Sequence, residues 1–330
     1  MRKILVVTSS RADATPLAPV VKALEGRAEI CGCLLQDTGE WMASEALAAN
    51  QTAVAIGTHL PNLMLVLGDR YEILAACLAA TVAKLPIAHI HGGEITRGSF
   101  DNQIRDAITK LSHVHLAATA NAAHRLCFKL GEDMDRVHNV GAPGLDNLTD
   151  LPRRRPADRA VEHIVITYHP PTLSDDSARG ARAMMKALDH YGQFAHVHTS
   201  VNNDPGAKEV RKAIMPIGHD DPRAWNSAMT PREYHRECRQ ARFVIGNSSS
   251  GVIEMPTIGV PSVNVGPRQD GREMGPSVFC CGETEKEIVG AIEKAIEYRG
   301  PYINPYGGPG ASRKIADILT SIGLAGLLNK

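Results

Sequence analysis

Short β-branched runs alternate with longer amphipathic stretches along the whole chain, and this constrains the fold more than any other feature. Candidate strands lie at 4–8, 30–35, 63–67, 87–90, 114–118, 137–140, 164–168, 195–199, 243–246 and 262–265. Helix-like segments fall between them, such as 16–24, 72–83, 102–111, 178–191 and 285–298. This alternation predicts βαβ units around parallel sheets, an α/β doubly wound architecture. The strands are apolar almost throughout, as strands covered on both faces must be.

The pattern breaks at 150–159, where Pro152 and Pro156 flank the triplet Arg153-Arg154-Arg155, and it resumes at Ile164. With 330 residues the chain has the length of about two domains. The break therefore divides it into two Rossmann-like domains, 1–155 and 156–330, and the Arg triplet reads as a solvated linker. Two such halves are expected to take a ligand in a cleft at the carboxyl ends of their strands.

Lysine plus arginine number 36, and so do aspartate plus glutamate. No net charge draws the chain toward nucleic acid or an anionic membrane. Hydrophobic residues make up 43% and charged residues 22%, which supplies a core and excludes disorder as the main state. The seven cysteines include no C-x-x-C pair and read as reduced thiols, disfavouring a zinc ribbon. The apolar run after Met1-Arg2-Lys3 is too short for a signal peptide. The longest apolar span, 74–83, closes at Lys84, short of the ~20 residues of a membrane helix. A cytoplasmic protein is expected.

Strand exits carry the chemistry. After 63–67 come Gly68-Asp69-Arg70, a carboxylate and a guanidinium side by side. Asp69 there suits either a helix cap or proton transfer. After 87–90 come His91-Gly92-Gly93-Glu94, with Asp101 following. Three titratable groups in one glycine-rich loop suit acid–base work better than capping alone. In the second half, Gly246-Asn247-Ser248-Ser249-Ser250-Gly251-Val252-Ile253-Glu254 opens a helix after a strand, a place for phosphate on backbone N–H groups. Arg268 and Arg272 follow nearby as guanidiniums for an anion. His89-x-His91, His113-x-His115 and His196-x-His198 each share a strand face, but no third ligand stands at a recognisable spacing. No metal is expected. The chain has no G-x-G-x-x-G, no P-loop motif and no G-x-S-x-G, so dehydrogenases, P-loop NTPases and serine hydrolases lose support.

The motifs, taken in order, are Ser10-Arg11-Ala12-Asp13, Gly68-Asp69-Arg70, His89-Ile90-His91-Gly92-Gly93-Glu94, the run 106–113, Gly141-Ala142-Pro143-Gly144, His169-Pro170-Pro171-Thr172, Asn202-Asn203-Asp204, the runs 246–254 and 268–272, and Asn304-Pro305-Tyr306-Gly307. In this order, nearly end to end, the chain resembles the hydrolysing UDP-N-acetylglucosamine 2-epimerases of the sialic- and legionaminic-acid type. The resemblance implies a GT-B fold, with a sugar-handling first domain, a nucleotide-binding second domain, and a C-terminal helix at about 311–327 packing back on the first. It places Asp69 and Asp101 on catalytic carboxylates, and Arg11, His169, Ser248, Ser249, Glu254 and Arg268 on nucleotide or phosphate positions. Arg70, Glu94, Asn202 and Asp204 are further candidates for the sugar site. A UDP-amino-sugar substrate, no cofactor and a homo-oligomer, dimer or tetramer, are implied as well.

The sequence departs from the family at three places. His91 stands where the best-known members carry a third catalytic Glu, a basic residue is replaced around Pro16, and the stretch from Trp41 to Leu63 is short. An imidazole titrates near ~6.5 and a Glu carboxyl near ~4.3, so His91 brings a group able to donate or accept where Glu brings a fixed charge. The implied reaction converts UDP-N-acetylglucosamine to N-acetylmannosamine and UDP, or acts likewise on a 2,4-diacetamido-6-deoxy analogue. The same motifs leave two alternatives: a GT-B glycosyltransferase, or an inactive nucleotide-sugar-binding protein.

Overall fold

The computed structural model describes residues 1–36, 41–98, 100–152, 154, 163–202, 204–214, 224–227 and 229–329. The chain divides into two compact units: Met1–Ile95, Asp101–Asn147 and Tyr306–Lys330 form the first, and Thr96–Phe100 with Leu148–Pro305 the second.

In the first unit the strands are β1 (Lys3–Thr8), β2 (Glu29–Leu34), β3 (Leu63–Leu67), β4 (Ile87–Ile90), β5 (Val114–Ala117) and β6 (Val137–Asn139). They pair in parallel in the order β2-β1-β3-β4-β5-β6. The intervening helices are α1 (Arg11–Leu24), α2 (Trp41–His59), α3 (Tyr71–Val82), α4 (Asp101–Leu111) and α5 (Ala120–Phe128). Alternate residues of a strand face opposite ways. Ile4 and Val6 accordingly join a core with Leu17, Val20 and Leu24 of α1. Leu5 and Val7 join another with Ile73, Ala76 and Ala80 of α3 and Ile108 of α4. This two-faced burial is why β1 reads as an unbroken apolar run.

The second unit contains β7 (His163–Thr167), β8 (Ala195–Thr199), β9 (Ala224–Ser227), β10 (Val244–Gly246), β11 (Ser262–Val265) and β12 (Val278–Cys281). All pairs are parallel, in the order β12-β11-β10-β7-β8-β9. Its helices are α6 (Arg179–Asp189), α7 (Ala207–Ile214), α8 (Pro231–Gln240), α9 (Ser249–Ile253), α10 (Met255–Ile258) and α11 (Glu285–Glu297). Its core gathers Ile164 and Ile166 of β7, Ile245 of β10 and Val263 of β11 with Met184 of α6 and Ile292 of α11.

The last helix, α12 (Ala311–Ser321), belongs to the first unit, where Ile315, Ala316 and Leu319 pack with α1. Both of its ends are satisfied by residues distant in sequence. Asp146 accepts from the Gly310 and Ser312 N–H groups, the latter at 2.7 Å, and Arg2 donates to the Leu319 carbonyl. An acid at the N-terminus and a base at the C-terminus also suit the helix dipole. The helix stops at Ser321, where Ile322 leaves helical geometry, so it is shorter than the expected 311–327.

The unit changeover follows Asn147, and the expected boundary between 155 and 156 lies outside the described residues, as do Arg153 and Arg155. The described part of the proline-flanked break is not a free linker. Arg239 Nε donates to the Pro152 carbonyl at 2.6 Å, and the Arg154 N–H donates to Ile258 at 3.3 Å. Among the described residues no helix is long and apolar enough to cross a membrane.

Candidate active site

In doubly wound sheets, ligands meet the carboxyl ends of strands where the order reverses. In the first unit that point lies between β1 and β3. After β1, the buried Asp13 carboxylate accepts from the Ser9 and Ser10 N–H groups at 2.6 and 2.7 Å and from both hydroxyls. Arg11 opens α1 on this fixed turn, and its side chain lies outside the described residues.

After β3, Asp69 does not cap a helix. The N-cap of α3 is Arg70, with no side-chain cap bond, and Asp69 Oδ2 instead accepts from Arg105 Nη2. Arg105 is 1% exposed, and its Nη1 donates to the Glu94 carbonyl at 2.9 Å, so one buried guanidinium ties the β3 exit to the β4 exit. Arg70 turns to the buried Glu72 carboxylate with bonds of 2.8 and 3.1 Å. After β4, His91 adopts left-handed backbone at φ +66, and its Nδ1 pairs with Glu94 Oε1. Gly93 is required here: φ is +81, and a Cβ would lie 2.5 Å from the Ala122 carbonyl oxygen. Register pairs Leu67 with Ile90, so the Asp69 and His91 exits are adjacent. Asp101 is the first residue of α4, one turn before Arg105 and on the same helix face.

His89 supports this cluster from beneath. Its Nε2 donates to the Gly68 carbonyl at 2.7 Å, and Thr109 Oγ1 lies 3.3 Å from Nδ1. Burial, only partly offset by the Gly68 carbonyl, pushes the imidazole down to about 3. Below about pH 6.5 an unfolded imidazole gains a proton that folded His89 refuses until about 3. This contribution is therefore fully present above that window and falls by about 1.4 kcal/mol per pH unit as the pH drops through it. Urea unfolding at about pH 7.5 and about pH 5 is expected to show the fall, and His89→Gln to lessen it by the share that His89 contributes beside the similarly buried His169.

In the second unit the order reverses between β7 and β10. Gly246 ends β10 at φ +146, where a Cβ would collide with the Thr167 carbonyl. The buried Asn247 that follows is the hub. Its Oδ1 accepts from the His169 N–H at 2.7 Å, and its Nδ2 donates to the His169 carbonyl at 2.8 Å. Its carbonyl accepts from Arg268 Nη1 at 3.1 Å and Gln269 Nε2 at 2.9 Å. The loops after β7, β10 and β11 are thereby joined. Burial and then the Arg268 charge push the His169 imidazole down to about 3. Its Nδ1 accepts from the Asn202 N–H at 3.3 Å, so the neutral ring carries its proton on Nε2.

Ser248 is the N-cap of α9, accepting from the Ser250 N–H, and Ser249 is its first residue. The serine run is thus a true cap as well as a candidate anion contact. Glu254 Oε2 accepts from Ser250 Oγ at 2.8 Å and His235 Nε2 at 3.0 Å. Burial alone would raise the Glu254 carboxyl, but these two partners outweigh it and hold it below its ordinary value. Asp204 lies in the turn before α7, its carbonyl accepting from Ala207, and Asn203 lies outside the described residues. Among the described residues no group of three or more His, Cys, Asp or Glu is arranged to hold a metal.

Sequence reasoning did not single out Arg105, the bridging role of Asn247, or His235. The one available signal for Arg105 was its i+4 spacing from Asp101.

The family model described as UDP-N-acetylglucosamine 2-epimerase matches residues 2–320. The Legionella pneumophila UDP-N,N'-diacetylbacillosamine 2-epimerase (hydrolyzing) is 32% identical over 83% of this chain and 74% of its own length. The Escherichia coli polysialic acid biosynthesis protein P7 is 32% identical over 74% of this chain and 66% of its own length. The Neisseria meningitidis UDP-N-acetylglucosamine 2-epimerase is 28% identical over 89% and 88%. Among solved structures, the Neisseria meningitidis UDP-GlcNAc 2-epimerase bound to UDP-GlcNAc superposes with a TM-score of 0.81 at 17% identity, over 97% of this chain and 100% of that one. The S. aureus MnaA–UDP co-structure gives 0.78 at 20% identity, over 97% and 96%. At these identities the superpositions show the fold, which is of the GT-B type.

Proposed function

Because the chain belongs to the UDP-N-acetylglucosamine 2-epimerase family, we propose that it is an epimerase of the hydrolysing kind, taking a UDP-N-acetylamino sugar to UDP and the free 2-epimeric sugar. UDP-N-acetylglucosamine and a 2,4-diacetamido-6-deoxy analogue are the candidate substrates. The observation that carries this reading is two proton-transfer groups at adjacent strand exits, each held by its own partner: Asp69 by Arg105 and His91 by Glu94. Two relatives named as hydrolyzing, at 32% and 30% identity, support the hydrolytic outcome.

The C2 hydrogen of an N-acetylated sugar ring is not acidic, because no carbonyl adjoins it in the ring. Departure of UDP breaks the C1–O bond and leaves an oxocarbenium-like C1, which acidifies that hydrogen. Asp69 removes it, and the C–H electron pair becomes the C1–C2 double bond of a glycal. Water then adds its hydroxyl to C1, while C2 takes a proton on the opposite face, which inverts the centre. His91, with its Nδ1–H directed to Glu94, takes the proton of the adding water on its bare Nε2, and Asp101 serves as the partner acid–base that delivers a proton to C2. Departure of the diphosphate needs donors aimed at it. Arg11, Arg268, Ser248 and Ser249 are assigned to that task with the Nε2–H of neutral His169, and Glu254 to the ribose hydroxyls.

The test is incubation with a panel of UDP- and GDP-amino sugars in D₂O, followed by NMR. Free 2-epimeric sugar bearing deuterium at C2, formed with UDP and no acceptor, is expected. A 2-epimer still joined to UDP overturns the hydrolytic reading, and turnover only with an added acceptor points to a glycosyltransferase. In calorimetry, Arg268→Ala and Glu254→Ala are each expected to weaken UDP binding roughly tenfold to a hundredfold, the worth of a hydrogen bond to a charged group. Unchanged affinity in both variants would move the nucleotide site elsewhere.

A further inference from the structure

Glu254 is a part-buried carboxylate held from one side. The two hydrogen bonds it accepts fall on the same oxygen, Oε2: Ser250 Oγ at 2.8 Å and His235 Nε2 at 3.0 Å. Among the described residues no hydrogen bond reaches Oε1. His235 is 4% exposed and comes from α8, whose start is fixed by a reciprocal capping box between Thr230 and Glu233. The Tyr234 hydroxyl lies 2.8 Å from Ser250 Oγ. Ser250 has one hydroxyl proton and gives it to the carboxylate, so Tyr234 must donate to Ser250. The hydroxyl chain therefore runs one way, from Tyr234 through Ser250 to Glu254, and His235 meets it from the other side.

Two donors converging on Oε2 fix the carboxylate about its last torsion and keep it charged. Oε1 keeps its lone pairs in a set direction, able to accept from two neighbouring hydroxyls. We propose that His235 is a positioning residue that aims Glu254 Oε1 at a vicinal diol, and so sets the preference of this site for a ribonucleotide over a deoxyribonucleotide. This rests on the reading of the second unit as the UDP site. A side chain that merely filled space beneath α10 would affect both nucleotides alike. One that aims an acceptor affects only the nucleotide that carries the diol.

The experiment is calorimetry of UDP and 2′,3′-dideoxy-UDP on the wild type, Glu254→Gln, His235→Leu and His235→Gln. The wild type is expected to prefer UDP roughly ten- to a hundredfold. Glu254→Gln should lose most of that preference. His235→Leu should lose it by several-fold through weaker UDP binding, with the dideoxy affinity unchanged. His235→Gln, whose amide nitrogen reaches the place of Nε2, should restore it. If Glu254→Gln keeps the full preference, the assignment of the ribose to Glu254 fails, and this proposal with it. If Glu254→Gln loses the preference and His235→Leu keeps it, the assignment stands and the role of His235 is overturned. Should His235→Leu fail to give the near-ultraviolet circular dichroism of a folded protein, His235→Asn, whose amide falls one bond short of Oε2, decides by the same criterion.

Discussion

Asp69→Asn is expected to lower turnover by about a thousandfold, within the ~10²–10⁴ range of a lost general base, while UDP binding stays nearly unchanged. The substitution is conservative in shape. The Asn carbonyl oxygen still accepts from Arg105 Nη2, the partner that Asp69 Oδ2 has now, but the amide takes up no proton from C2. Of the residues assigned to UDP, His169 and Arg268 are held by Asn247, and Glu254 by His235 and Ser250, and none of these bonds involves Asp69. Removing the carboxylate charge facing a buried guanidinium costs stability, so the rate is to be taken per folded molecule, with unfolding midpoints measured alongside. Wild-type turnover in this variant would remove Asp69 from the chemistry. A matched loss of turnover and UDP affinity would point to a collapsed site instead of a missing base.

The parallel sheets were legible because central strands must be apolar on both faces, and β3, with all five residues buried, is the clearest case. The strands that escaped notice, β9 and β12, are the two edges of the second sheet. An edge strand pairs on one side only, and β12 has no fully buried residue; its apolar run Val278-Phe279-Cys280-Cys281 is only four residues long and half cysteine, a weak strand signal. Helix α2 was missed for another reason. From Trp41 to His59 it holds one acidic residue and no Lys or Arg, so polar and apolar residues do not alternate with a helical period. Helix α1 begins at Arg11, earlier than the start at Pro16 read from the sequence. The Asp13 bonds to Ser9 and Ser10 close the turn ahead of the prolines.

The candidate site divides the same way. Residues at strand exits could be found in one dimension, because the topology rule says where to look and glycine marks the exit. Their partners could not. Arg105 lies inside a helix, where arginine ordinarily faces water, and it is buried where folding brings Asp69 to it from 36 positions away and the Glu94 carbonyl from 11. His235 meets Glu254 across 19 positions by the same kind of contact. Arg70, a sugar-site candidate beside Asp69, donates to the Glu72 carboxylate two residues on, a pairing that the strand-exit rule does not announce.

His91 provides the second large effect, because its backbone and its imidazole can be tested apart. His91→Ala and His91→Gly both remove the ring that pairs with Glu94, and both are expected to lower turnover about a hundredfold or more, with UDP affinity little changed. The wild-type pH–rate profile should carry a limb that neither variant retains. The two should differ in stability. At φ +66 a Cβ is strained and glycine is not, so the Gly variant should be the more stable by about 1 kcal/mol in urea unfolding. If the ring only packs, turnover and its pH profile will follow the wild type in both variants while the stability difference remains. The acid–base work would then fall to Asp69 and Asp101 alone.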